Sequence, residues 1–75
     1  MNELERLVKL IGTAYSPEQW KAAFPWIHIT LSHACNGRAH IGAEVSEHII
    51  EIDLVYLGPG TWKLYKVSIE RMEAS

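Results

Sequence analysis

Apolar residues recur along this chain with two different periods, and the change between them falls at Pro25. Before it, Leu4, Leu7, Val8 and Ile11 keep the three-and-four spacing of one helix face. Asn2 followed by Glu5 has the spacing of a capping box, in which each side chain satisfies a free backbone N–H at a helix start. The pattern predicts a helix from residue 3 to residue 11 or 14, with Gly12 as one candidate for its C-cap. Ser16-Pro17-Glu18-Gln19 is a second start signal, with serine as the cap and proline at the first helical position. Trp20, Ala23 and Phe24 share one side of this short helix, and Pro25 stops it.

From Trp26 the period is two, the alternation of a half-buried strand. Ile27, Ile29 and Leu31 alternate with His28, Thr30 and Ser32. Beyond Asn36-Gly37, Ala39, Ile41, Ala43 and Val45 alternate with polar or small residues. A two-residue Asn-Gly loop would mix apolar and polar residues on both faces. A three-residue loop, Cys35-Asn36-Gly37 with Gly37 left-handed, instead sets Leu31 opposite Ile41. The run from His48 to Leu57 is rich in β-branched residues, with Ile50, Ile52 and Leu54 facing the core. Gly58-Pro59-Gly60 reads as a turn. Trp62 to Met72 follows as a fourth strand, with Tyr65, Val67 and Ile69 inward, and residues 73–75 are expected to fray. The prediction is one α+β domain over residues 1–75, in which two N-terminal helices pack on one face of a four-stranded antiparallel meander, ααββββ.

Composition narrows how such a fold is held together. A chain of this size buries only about two-thirds of the surface it exposes when unfolded. Cys35 is the single cysteine, so neither an internal disulfide nor a cysteine-rich zinc site is available. Either the core is efficient or a second chain helps, and the 48% of hydrophobic residues supports the first without excluding the second. The first residues carry acids where an export signal carries bases, and no apolar run is long enough to span a membrane. A cytoplasmic location, with no membrane contact, is therefore the expectation. Seven Lys and Arg against nine Asp and Glu, all scattered, give a net charge of −2 and argue against a nucleic-acid partner.

Candidate chemistry is sparse. Strand geometry sets His28, His33, His40 and His48 apart, with about 3.3 Å of rise per residue between positions, so no metal site is expected. If Ser46-Glu47 is a tight connection, Ala43 faces Ile50 and His40 faces Asp53. Ser32, His40 and Asp53 then fall in a row across three strands. Such a row resembles a hydrolytic triad in its residue types, but a flat sheet face supplies neither cleft nor oxyanion hole. No catalytic residue and no cofactor is assigned. Cys35 near His33 has the residue types of a thiol dyad and is read as inert.

The most informative anomaly is apolar. If Ile50, Ile52 and Leu54 face the helices, Val55 and Leu57 face away from them. If Tyr65, Val67 and Ile69 do likewise on the last strand, Trp62 and Leu64 also turn outward. Val55, Leu57, Trp62 and Leu64 are then the predicted partner-binding patch. The expected function is a small protein-binding module, regulatory, accessory or inhibitory, that recognises another protein or itself as a homodimer. The alternative is a small enzyme or ligand-binding domain using the Ser32–His40–Asp53 row or a pocket between sheet and helices.

Overall fold

The computed structural model describes residues 3–72; the cap at Asn2 and the tail at 73–75 lie outside them. Its elements in chain order are α1 (Glu3–Lys9), β1 (Ala14–Tyr15), α2 (Pro17–Ala23), α3 (Leu31–Asn36), β2 (Arg38–Val45), β3 (His48–Gly58) and β4 (Thr61–Arg71). The fold is α+β with a four-stranded antiparallel sheet, in the order β1-β4-β3-β2. Among the described residues no helix is long and apolar enough to cross a membrane.

α1 buries Leu7 and half-buries Leu4, while Val8 and Ile11 remain exposed. The chain then turns at Gly12, whose φ of +94° suits a residue without a Cβ. The Gly12 N–H donates to the Leu64 carbonyl at 2.6 Å, and the Leu64 N–H donates to the Thr13 carbonyl at 3.1 Å. These bonds steer Ala14–Tyr15 alongside β4. α2 carries the capping box its sequence announces. Ser16 Oγ accepts from the Gln19 N–H at 3.2 Å, and Gln19 Oε1 accepts from the Ser16 N–H at 2.9 Å. Its Trp20 and the following Phe24 are fully buried.

The segment from Trp26 to Ser32 departs from the expected strand. Its alternation is real, since Ile27 is buried, Ile29 half-buried, and His28 and Thr30 exposed. It nevertheless joins no ladder among the described residues. Ile27 belongs to the same core cluster as the β3 residues, so apolar alternation here marks a cover rather than a strand. From Leu31 the chain is helical, bracketed by Thr30 as N-cap and by Gly37 as a left-handed C-cap at φ +73°. The Gly37 N–H returns to the carbonyls of His33 and Ala34. Gly37 thus has the expected positive φ in a different role, and Leu31, 87% exposed, does not face Ile41. Ile41 pairs with Ile52.

β2 and β3 adopt the expected register, with Ala43 opposite Ile50 and His40 opposite Asp53. Ser46 and Glu47 form the two-residue loop, both at positive φ (50° and 62°), as the twist-matched hairpin turn requires. The Tyr56 N–H donates to the Gly37 carbonyl at 2.9 Å, which fixes the alternation of the ladder. The pairs containing Ala39, Ile41 and Ala43 exchange backbone hydrogen bonds, and those containing Arg38, His40 and Gly42 do not.

β4 holds the largest surprise. Leu54 pairs with Leu64 and Asp53 with Lys66, so Tyr65 is an extra residue in the ladder. This bulge puts Trp62 and Leu64 on the same face as Val67 and Ile69, because the side-chain phase slips by one between them. A second irregularity lies between Tyr56 and Gly58. The core comprises Leu7, Trp20, Phe24, Ile27, Ala39, Ile50, Ile52, Leu54, Trp62 and Leu64. At its centre the Trp20 indole N–H donates to the Trp62 carbonyl at 2.9 Å.

Candidate functional site

The bulge redraws the expected patch. Trp62 and Leu64 are 1% and 0% exposed, so they face the helices and not solvent. Their assignment to the outer face assumed an unbroken alternation back from Tyr65, and Tyr65 is the residue that breaks it. Val55 does face away from the core and is half-buried. Leu57, the extra residue of the second irregularity, is 55% exposed at the hairpin end.

The outer face follows from the registers as a set of rows. Arg38, Val55 and Lys63 lie side by side nearest the β3–β4 hairpin, with Ala14 beyond them. His40, Asp53 and Lys66 form the next row, where the classic geometry of a bulge sets Tyr65 beside Lys66. Gly42, Glu51 and Ser68 come third, then Glu44, Ile49 and Glu70. Bases therefore gather at the hairpin end and acids at the other. Val55, Tyr65 and Leu57 form an apolar area within the basic end, and Tyr65 is 43% exposed. Tyr65, expected inward, lies instead on this face, and Lys63 and Arg38 were not singled out from sequence. A signal for the first exists: Leu64 and Val67 are both apolar and three residues apart, a spacing that a regular strand cannot put on one face.

The Ser32–His40–Asp53 row does not assemble. Ser32 sits on α3, where its Oγ lies 2.7 Å from Thr30 Oγ1. His40 and Asp53 do meet, and closely: Nδ1–H donates to Oδ1 at 2.6 Å. They occupy a non-hydrogen-bonded position of the ladder, where facing side chains come nearest. Glu51 Oε1 lies 3.7 Å from His40 Nε2. The Asp53 hydrogen bond, foremost, raises the His40 pKa above its ordinary value of 6.5; desolvation opposes it, and the charges of Asp53 and Glu51 and the Glu51 hydrogen bond add smaller increases. The other histidines serve local structure or solvent. His33 lies on α3 and not on a strand, and accepts from the Thr30 N–H at the helix start, at 3.1 Å. His48 Nδ1–H donates to the Ser46 carbonyl at 2.7 Å, and His28 is exposed. Among the described residues no group of three or more His, Cys, Asp or Glu side chains is placed to hold a metal ion. Cys35 is exposed on α3.

A raised folded-state pKa fixes the sign of the pH dependence. The His40–Asp53 contribution to stability is fully present below about pH 6.5, the unfolded value, and is lost as pH rises through the folded value. In an NMR titration the His40 ring resonances should have a midpoint above 6.5, and Asp53→Asn should bring it down. A midpoint at or below 6.5 in the parent protein would show that the pair does not form in solution.

No family model, no curated protein and no solved structure matches this chain.

Proposed function

We propose that this chain is a small protein-binding module, acting as a regulatory, accessory or inhibitory protein through the outer face of its sheet. The observation that carries the reading is the one-sided cover of the sheet. The core cluster and the half-buried residues packed on it draw on all three helices and on the 26–30 segment, and all of them lie on the inner face. The outer face of β2, β3 and β4 keeps Val55 and Tyr65 at the basic end, beside the exposed Leu57. An apolar area rimmed by charge is the usual anatomy of a protein contact. Arg38, Lys63 and Lys66 around it favour a partner that presents acidic groups about an apolar anchor.

Burying one large apolar side chain is worth roughly 1.5–3 kcal/mol, so each such contact shifts affinity about tenfold to a hundredfold. Val55→Asp and Leu57→Asp should weaken partner binding by that order while leaving the thermal midpoint within a few degrees. Lys21→Ala, on exposed α2 surface, should leave binding unchanged. Undiminished binding by both aspartate variants would rule out the outer face.

A further inference from the structure

β1 covers only the first part of β4. Its two residues pair with Lys63 and Trp62, and Gly12 and Thr13 occupy the edge of Leu64. Beyond that point, from Tyr65 to Arg71, β4 has no strand on this side among the described residues. The ladder alternation sets the N–H and C=O groups of Val67, Ile69 and Arg71 toward this open edge, because Ser68 and Glu70 direct theirs to β3. An open edge of this kind is a template for a further strand.

We propose that the occupant is a second copy of this chain, joined β4 to β4 in antiparallel fashion about a two-fold axis at Ser68, to give one continuous eight-stranded sheet. Three independent features select this partner and register. Ser68 is the midpoint of the open stretch 65–71, so the second copy's strand ends where β1 begins. Pairing about Ser68 sets Lys66 of each copy opposite Glu70 of the other on the outer face. Neither side chain has an ion pair within its own chain among the described residues. A shift of the axis to Ile69 would face Glu70 with Ser68, and a shift to Glu70 would face like charges. On the inner face the same register sets Val67 opposite Ile69. Ile69 lines an apolar groove with Leu4 and Val8 of α1, and Val8 and Ile69 are 46% and 36% exposed. The opposite edge of the sheet, β2, exposes no large apolar side chain.

This inference concerns the β4 edge; it shares Lys66 with the outer-face reading above, and its readout is self-association, with Glu70 as the position that belongs to this inference alone. Sedimentation equilibrium on the intact chain should give twice the 8.5 kDa monomer mass at high concentration. Lys66→Glu and Glu70→Lys should each raise the dimer dissociation constant about tenfold or more, because each turns two symmetric attractions into repulsions. The two variants mixed should recover a heterodimer, and so should the double exchange K66E/E70K as a homodimer. Glu44→Lys, on the β2 edge opposite, should leave the dimer dissociation constant unchanged. A monomer at every concentration overturns the proposal. So does a dimer indifferent to both charge reversals, or one weakened by Glu44→Lys alone.

Discussion

Trp62→Ala is expected to cost about 3–5 kcal/mol of folding stability, the usual range for removing a fully buried tryptophan. A domain of 75 residues has roughly 4–11 kcal/mol in total, so the variant should be largely unfolded or lose most of its denaturant tolerance. The reason lies in the side chain. The Trp62 ring is 1% exposed and meets Tyr56 at 5.3 Å between ring centroids, and both the burial and the ring contact are lost with it. The Trp62 carbonyl, which accepts from the buried Trp20 indole, belongs to the backbone and stays. Trp20→Phe tests that hydrogen bond. It keeps an aromatic ring but removes the indole donor to the Trp62 carbonyl, at a net cost of about 0.5–1.5 kcal/mol. Urea unfolding of both variants checks the order. A Trp62→Ala protein with near-parental stability would return Trp62 to the outer face.

Removing single residues from β4 should give opposite results at neighbouring positions. Deleting one residue from a regular strand moves every following side chain to the wrong face. Deleting Lys63 makes Trp62 and Leu64 adjacent, so one of two fully buried side chains must leave the core. That change should abolish the cooperative unfolding transition. Tyr65 is the extra residue of the bulge, and without it Leu64, Lys66 and Val67 alternate in, out and in with the pairing to β3 intact. Its deletion should cost about 1–2 kcal/mol and leave the β3–β4 amide cross-peaks in place. Equal damage from the two deletions would mean that the bulge is elsewhere.

The same bulge explains how much of the fold was legible in the sequence. Local signals with a fixed chemical meaning read correctly: the Ser16–Gln19 cap, the β-branched run of β3, and the register that sets His40 against Asp53. Inferences that carried a phase over distance did not. One extra residue at Tyr65 was enough to exchange Trp62 and Leu64 between core and surface. The alternation from Ile27 to Leu31 misled for another reason, because burial on alternate sides does not require a neighbouring strand. Thr30 before and Gly37 after Leu31–Asn36 are ordinary helix brackets. Asn36-Gly37 is equally a hairpin sequence, so these brackets do not by themselves distinguish a helix from a strand and turn. β1, at two residues, is too short to carry any period. The outward direction of Val55 was legible because β3 keeps a regular phase from His48 to Val55; Leu57 lies beyond that phase, in the second irregularity.

The claim that the outer face is the working surface is tested most directly by site-specific photo-crosslinking from that face. A photoreactive residue at Leu57 or Val55 in one protein preparation, and at Glu18 of exposed α2 in another, would be irradiated in a lysate of the cell of origin. The outer-face reading predicts one discrete adduct from the β3 positions, identifiable by mass. It should be lost on competition with unlabelled parent protein and retained on competition with the Val55→Asp protein. Adducts arising only from Glu18, or none from either β3 position, would contradict it.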